Sequence, residues 1–341
     1  MSGSRPGLTS RDLARLAGVS QSTVSRVLTN HPLVSKETRA RVLKVVEEQN
    51  YLANSTARAM KTGRTGTVGV FMSRLRSPFH SGLLDAIART LASRGLQIIV
   101  WNLEHDPAEM AVQVIRQRVA DGYIFTSATF ASRPEKVAVK LGVPTVLIHR
   151  GLDDLRCDQV VGDNRSGASE LVDHLVRSGH TRIGLITSRH HASTGRDREE
   201  GFRAALQAAG LNLPDAYVVR GGFDHQDGHA AVRELMALKT PPTGIFCITD
   251  ILAIGAIDGA RSIGLRIPDD LSVAGFDNVE MAAWESYNLT TVDQPTEALA
   301  ETGTQLLVDR IVDPSRPPEV TTLPCQLVVR GSTGPPRKLR R

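Results

Sequence analysis

Cysteine is scarce in this 341-residue chain: Cys157, Cys247 and Cys325 are scattered, with no paired spacing. Such an odd, sparse set argues against a disulfide framework and fits a reducing compartment. Cys247 lies in the apolar run 244–248, where packing accounts for it better than nucleophilic chemistry. Long apolar runs are missing too. Stretches such as 98–101 and 143–148 fall far below the ~20 residues needed to span a bilayer, and residues 1–7 have no apolar signal-type core. The expectation is a cytoplasmic protein with no membrane partner. Signatures of catalysis are also absent. No GxGxxG follows the first strand of the body, no GxxxxGK-Ser/Thr phosphate loop occurs, and no GxSxG elbow appears. His225 and His229 are spaced four apart but lack the glutamate of HExxH, and Gly228 weakens the helix between them. His190 and His191 form a polar pair with no cysteine nearby. No catalytic residue, metal or cofactor is expected.

What is present is an ordinary globular composition, 41% apolar and 23% charged, in a length that suits two to three domains. The net charge of +5 is unevenly placed. Residues 1–64 hold eleven Lys/Arg against four acids, a surplus of seven, which leaves the remaining 277 residues at minus two. A basic head on a near-neutral body suggests that the head meets a polyanion.

Local patterning gives that head a shape. Residues 9–12 (Thr-Ser-Arg-Asp) open a first helix as a capping box, with Leu13, Ala14, Leu16 and Ala17 on one apolar face. Gly18 supplies the positive φ of a tight turn and Ser20 caps a second helix over 21–29. That helix buries Val24, Val27 and Leu28 and exposes Gln21, Ser22, Ser25 and Arg26. Ser35 and Thr38 begin a third helix ending near Gln49, with Val42, Val45 and Val46 inward. Three short helices with a four-residue turn between the first two make a helix-turn-helix, whose second helix reads the major groove. There Gln21 suits adenine and Arg26 suits guanine, each in bidentate fashion.

Residues 9–29, TSRDLARLAGVSQSTVSRVLT, resemble the DNA-binding signature of the lactose-repressor (LacI) family, and the match continues without a gap over 34–70. The resemblance implies base contacts from Gln21, Ser22 and Arg26, with Ser20, Thr23 and Asn30 alongside them at the DNA. It places 54–61 on a hinge helix that folds in the minor groove. Asn54 opens it, Ala57 falls at the centre of the groove, and Met60 stands where the family usually has a leucine wedge.

From residue 67 onward short apolar strands alternate with amphipathic helices. Strands are expected over 68–72, 98–102, 122–126, 145–149, 160–162, 183–187, 216–220, 244–249 and 272–276, and helices over 82–94, 167–178, 198–210 and 251–263. Such alternation implies parallel sheets covered on both faces, with ligands at the carboxyl ends of the strands. The segments 77–79, 174–183, 198–202, 249–255, 267–277 and 289–295 extend the family resemblance through the body. The fold class is thus an all-α helix-turn-helix head with an α/β, two-lobed body like that of periplasmic binding proteins. The expected divisions are 1–53 for the head, 54–65 for hinge and linker, 66–331 for the body, and 332–341 for a basic tail. The resemblance further divides the body into one lobe of 66–162 and 294–324 and another of 163–293 and 325–331.

By the same resemblance Phe79, His149, Arg150, Thr194, Arg198, Phe223, Thr249, Asp250 and Asp277 fall on effector-contact positions. Aromatic plates with a few charged groups suit a sugar or related polyol. Three departures weigh toward an anionic metabolite instead: His149 where an aspartate is common, Thr249 for asparagine, and His80 for a second phenylalanine. The expected function is a sequence-specific repressor under allosteric control by a small effector, acting as a homodimer on a pseudo-palindromic double-stranded operator. A tail without leucine heptads favours the dimer over a tetramer. A solute-binding module and a sugar-processing enzyme are the competing readings. The basic head opposes the first, and the absence of catalytic motifs opposes the second.

Overall fold

A computed structural model describes residues 8–28, 31–49, 63–104, 108–188 and 192–336. Asn30, the stretch 54–61 with Asn54, Ala57 and Met60, the pair His190 and His191, and residues 337–341 lie outside the described residues. The described residues up to Thr65 form one compact unit, and those from Gly66 form another.

Among the described residues three helices build the head, Ser10–Leu16, Gln21–Leu28 and Lys36–Glu48. Each starts where a side chain satisfies an amide that the helix cannot. Thr9 Oγ1 accepts from the Asp12 amide at 3.3 Å, and Asp12 accepts from the Thr9 amide at 3.0 Å, closing the capping box. Ser20 Oγ accepts from the Thr23 amide at 3.1 Å, and Ser35 Oγ from the Thr38 amide at 3.2 Å. Gly18 makes the intervening turn at φ +62°, where a Cβ would be strained. Leu13, Ala14, Ala17, Val24, Val27 and Val42 fill the small core. Leu16 departs from expectation, being 49% exposed. At 3.6 residues per turn it sits roughly 100° round the helix from the centre of the Leu13–Ala14–Ala17 face.

The body runs through β1 (Thr67–Met72), β2 (Gln97–Asn102), β3 (Gly122–Phe125), β4 (Thr145–Ile148), β5 (Asp158–Gly162) and β6 (Ile183–Ser188). It continues through β7 (Val218–Gly221), β8 (Gly244–Cys247), β9 (Ser272–Ala274), β10 (Thr291–Asp293), β11 (Val320–Leu323) and β12 (Gln326–Val328). Two parallel sheets result, one in the order β11-β5-β4-β3-β1-β2 and one in the order β7-β6-β8-β9; β10 and β12 pair antiparallel beside them. The expected α/β class with two parallel sheets is therefore present. The strand expected over 216–220 begins only at Val218, because Asp215–Tyr217 is a 3-10 turn after Pro214.

Strand alternation explains the first lobe. Val68, Val70 and Met72 of β1 pack with Leu83, Ile87 and Leu91 of the helix Pro78–Ser93 and with Leu299 and Leu307 of Thr296–Val312. Phe71 points the other way, stacked on Phe125 at 4.9 Å and Trp101 at 5.1 Å. The second lobe surrounds its sheet with Asn164–Arg177, Ser193–Ala208, His225–Met236 and Asp250–Ser262 around one large core. The chain passes between the sheets after β5, after β10 and after β11.

The C-terminal segment differs from expectation. Residues 332–341 are expected as a basic tail separate from the body, yet Ser332 is 1% exposed. Its hydroxyl donates to the Val273 carbonyl at 2.6 Å, and the Gly334 amide donates to Ser272 Oγ at 3.1 Å. These bonds give edge strand β9 a partner, so the segment belongs to the body at least to Gly334.

Gly228 is also more than a weak helix former. A Cβ there would strike the Leu252 carbonyl, and one at Gly255 would strike the His225 carbonyl, so the helices His225–Met236 and Asp250–Ser262 pack backbone to backbone. We expect Gly228→Ala to destabilise the body by ~1–3 kcal/mol through overpacking, measured by urea unfolding. An unchanged midpoint would show that the two helices separate freely.

Candidate functional site

The DNA-facing candidates share one helix. Val24 and Val27 of Gln21–Leu28 are buried, while Gln21, Ser22 and Arg26 are exposed. Gln21 Nε2 donates to Ser10 Oγ at 2.8 Å, which braces its amide against the preceding helix. Ser20 and Thr23 are engaged in the cap: Ser20 Oγ lies 2.7 Å from Ser22 Oγ and 2.8 Å from Thr23 Oγ1. The structure thus separates candidates with outward-facing side chains from candidates that hold the helix start.

In the body a cleft opens between the two lobes, at the carboxyl ends of both parallel sheets. Eight of the nine candidate effector residues line it: Phe79, His149, Arg150, Thr194, Arg198, Phe223, Thr249 and Asp277. Asp250 does not. It is fully buried behind the wall, where its carboxylate accepts from the Thr291 hydroxyl at 2.5 Å and from the Val279 amide at 2.9 Å. Burial and the adjacent Asp277 charge push its pKa up to about 7. Its role is to hold the loop after β9.

Arg198 is committed as well. Its Nε donates to Asn164 Oδ1 at 2.8 Å, Nη1 to the Ile248 carbonyl at 2.5 Å, and Nη2 lies 3.0 Å from Asp277 Oδ1. The guanidinium stacks 3.9 Å from the Phe276 ring centroid. Asp277 accepts a further bond from Gln294 Nε2 at 2.7 Å. Across the cavity Phe79, His80 and His149 form an aromatic cluster, with Phe79 4.6 Å from His149 and His80 edge-on to His149 at 5.7 Å.

Sequence reasoning left Arg74, Ser77, Gly195, Ile248, Ile251 and Val279 off the wall of the site, while His80, noted there as a departure from the family pattern, does line it. Arg74 matters most. It follows β1, donates to the Phe223 carbonyl at 3.0 Å, and lies 4.5 Å above the Phe223 ring, so it bridges the lobes. Its backbone has φ +57°, and His149 (+76°) and Asp277 (+124°) share this left-handed region. Such backbone costs of order 1–3 kcal/mol and clusters where side chains must be aimed at a site. No pattern in the sequence flags Arg74, since positive φ in a non-glycine residue is imposed by its surroundings.

Burial, followed by the charges of Arg150, Arg74 and Arg198, holds the His80 pKa at about 3. His149 is depressed well below the usual histidine range, by burial first and then by His80, Arg150 and Arg198. A histidine kept neutral in the native state, but free to protonate when unfolded, withdraws stability as pH falls below about 6.5. We therefore expect wild type to lose up to ~2 kcal/mol more than His80→Asn between pH 7 and pH 5, measured by urea unfolding at both values. Equal losses would mean that His80 takes up its proton in the folded protein.

Comparison with known proteins agrees with both units. Residues 9–54 match the family described as bacterial regulatory proteins, lacI family, and residues 172–333 match a periplasmic binding protein-like domain. The ribose operon repressor of Escherichia coli (strain K12) is 33% identical over 328 residues, covering 95% of this chain and 99% of the repressor. The transcriptional regulator CelR in complex with cellobiose is similar in structure, with a TM-score of 0.75 and 30% identity over 96% of this chain and all of its own. The lac repressor dimer bound to operator and the anti-inducer ONPF reaches a TM-score of 0.85 at 25% identity, again over 96% of this chain and 100% of that one. Similarity that spans head and body alike, at one-third identity to a curated repressor, places this chain in the LacI family of bacterial regulatory proteins.

Proposed function

We propose that this protein is a transcriptional repressor that binds a pseudo-palindromic operator as a homodimer and changes its operator affinity when a small polar metabolite occupies the cleft. The observation that carries the reading is the outward face of Gln21–Leu28, with Gln21, Ser22 and Arg26 exposed opposite a buried Val24 and Val27, in a head with seven surplus positive charges. Gln21 and Arg26 have the donor geometry for adenine and guanine edges, and the other basic residues supply phosphate contacts. One such head reads few bases, so twofold pairing of heads is needed for specificity. The similar lac repressor is a dimer on its operator.

Asn54, Ala57 and Met60 are assigned to a minor-groove hinge, with Met60 as the apolar wedge; the family resemblance supports this, as it supports Asn30 at the DNA. The divisions at 53 and 65 and the cytoplasmic setting rest on the same ground. Among the described residues no helix is long and apolar enough to cross a membrane.

For control, the cleft is the effector site. Related regulators are named for ribose and cellobiose, and the polar, aromatic wall of this cavity is of the kind that holds a hydroxylated ligand. A ligand that prefers one arrangement of the lobes shifts operator affinity by a coupling of typically ~1–3 kcal/mol. Curated relatives of this chain are transcriptional repressors.

Selection of bound sequences from random duplex DNA should enrich a palindrome; recovery of unstructured sequences alone would contradict the operator reading. Arg26→Ala should weaken the enriched site by ~1–3 kcal/mol in a binding titration, and unchanged affinity would remove Arg26 from the readout. Arg198→Ala leaves Asp277 in a buried wall with the Gln294 bond but no cation and should abolish effector response while operator binding persists. A retained response would place the effector elsewhere.

A further inference from the structure

We propose that the effector is an oxyanion-bearing polyol, a carboxylate or phosphate ester of a sugar, whose charged group sits between Arg74, Arg150 and the two histidines of the cleft. The inference rests on the effector reading above and narrows it to one chemistry.

Charge balance on the cavity wall comes first. Three guanidiniums line it, those of Arg74, Arg150 and Arg198, against the single carboxylate of Asp277. That carboxylate is already engaged, by Arg198 at 3.0 Å and by Gln294 at 2.7 Å. Among the described residues Arg150 has no carboxylate in ion-pair range. Its one hydrogen bond is a 3.4 Å contact from Nη1 to the Ser127 carbonyl, and its Nε is buried with no partner. Arg74 reaches only a carbonyl and a ring face, those of Phe223. Of the acids whose charge it feels, Glu104 and Asp277 lie outside ion-pair range, and Asp224 and Asp227 close the capping box of the next helix. Buried charges call for partners, and among the described residues buried Arg150 and half-buried Arg74 have none of opposite sign within contact.

The histidines make the second observation. His80 is 6% exposed and His149 is 3% exposed, and both ring nitrogens of His80 and Nδ1 of His149 have no hydrogen-bond partner. A neutral imidazole brings one donor and one acceptor, so the pair can serve both an oxyanion and the hydroxyls beside it.

Helix ends supply the third. Pro78–Ser93, Ser193–Ala208 and Asp250–Ser262 each place first-turn or cap residues on the cavity wall, Ser77, Thr194 and Thr249 among them. The first two helices lack a side-chain cap, since neither the Ser77 nor the Ala192 side chain accepts from its helix. Three positive dipole ends, two of them without a side-chain cap and the third capped by Thr249, favour an anion over a neutral group. Consistent with this crowding of positive charge, burial together with Arg74 and Arg198 lowers the Arg150 pKa to about 10, and the arginines help keep both histidines neutral. An anion relieves all of these strains together.

The test uses the full-length protein and matched probes: D-glucose with D-gluconate and D-glucose 6-phosphate, D-ribose with D-ribonate and D-ribose 5-phosphate, and inorganic phosphate. Binding is read by titration calorimetry and by the thermal shift of the body. The expected result is that at least one acid or ester binds roughly 10- to 100-fold more tightly than its parent sugar, the range of a charge-assisted contact. Whether the carboxylate or the phosphate series responds then identifies the source of the charge. Arg150→Gln should reduce that affinity by about tenfold or more, and Arg74→Gln provides the same check should Arg150→Gln fail to fold. A parent sugar that binds as well as its acid overturns the proposal, as does the absence of binding by any oxyanion probe up to ~10 mM. An enriched palindrome in the DNA selection alongside either of those results would leave the repressor reading intact and discard only the ligand class.

Discussion

The guanidinium of Arg198 is the point on which the body turns. It is 2% exposed, so every donor it carries has to be satisfied within the protein. The partners it finds are Asn164 just after the first passage between lobes, the carbonyl of Ile248 at the end of β8, and Asp277 after β9. Asp277 in turn accepts from Gln294, at the second passage. One buried charge therefore ties two of the three chain crossings to the ends of two strands. Removing a partner from such a pair leaves an unpaired buried charge, which costs far more than the pair contributes. The cleft is consequently a site whose own wall keeps the hinge in register.

That arrangement explains how a ligand between the lobes can be felt elsewhere in the body. Asn278, next to Asp277, donates to Asp293 Oδ1 at 2.8 Å and accepts from Arg330 Nη2 at 2.8 Å. Arg330 also donates to the Leu289 carbonyl at 2.8 Å. A group that competes for Asp277 thus acts on a hydrogen-bonded chain that runs through the loop after β9 and the crossing strands. On the opposite rim, Gly151 N donates to Ser193 Oγ at 3.0 Å and Arg196 pairs with Asp153, both across the lobes. Lobe closure is held by these rim contacts, the Arg196–Asp153 pair exposed and the Ser193 bond half-buried, and by Arg74 on Phe223, while the passages between the lobes are held by buried contacts. Exposed pairs contribute about 0–1 kcal/mol each, so the rim can open without disturbing the hinge.

Local chemistry in the sequence was a sound guide wherever a residue acts on near neighbours. The Thr9–Asp12 box, the Gly18 turn and the Ser20 and Ser35 caps involve partners three residues away, and all are formed as expected. Strand-helix alternation likewise anticipated both sheets. Where the outcome depends on what packs from a distance, the sequence was silent or misleading. Leu16 has the right residue type for the core but the wrong angle on its helix, and Asp250 has the right type for a ligand but stands behind the wall. Arg74 became visible only once the loop after β1 was placed against Phe223.

The sequence by itself determined the class of protein: a basic helix-turn-helix head, an outward face with Gln21, Ser22 and Arg26, and an α/β body with parallel sheets. Periodicity, capping and charge are short-range properties, and they are written directly in residue order. Only the tertiary structure decided which charges meet in the cleft. Arg74, Arg150, Arg198, His80 and His149 are separated by up to about half the length of the body, and their electrostatic balance exists only when the strand ends converge. Coulomb energy depends on distance in space and on burial, and neither is a property of the chain before it folds.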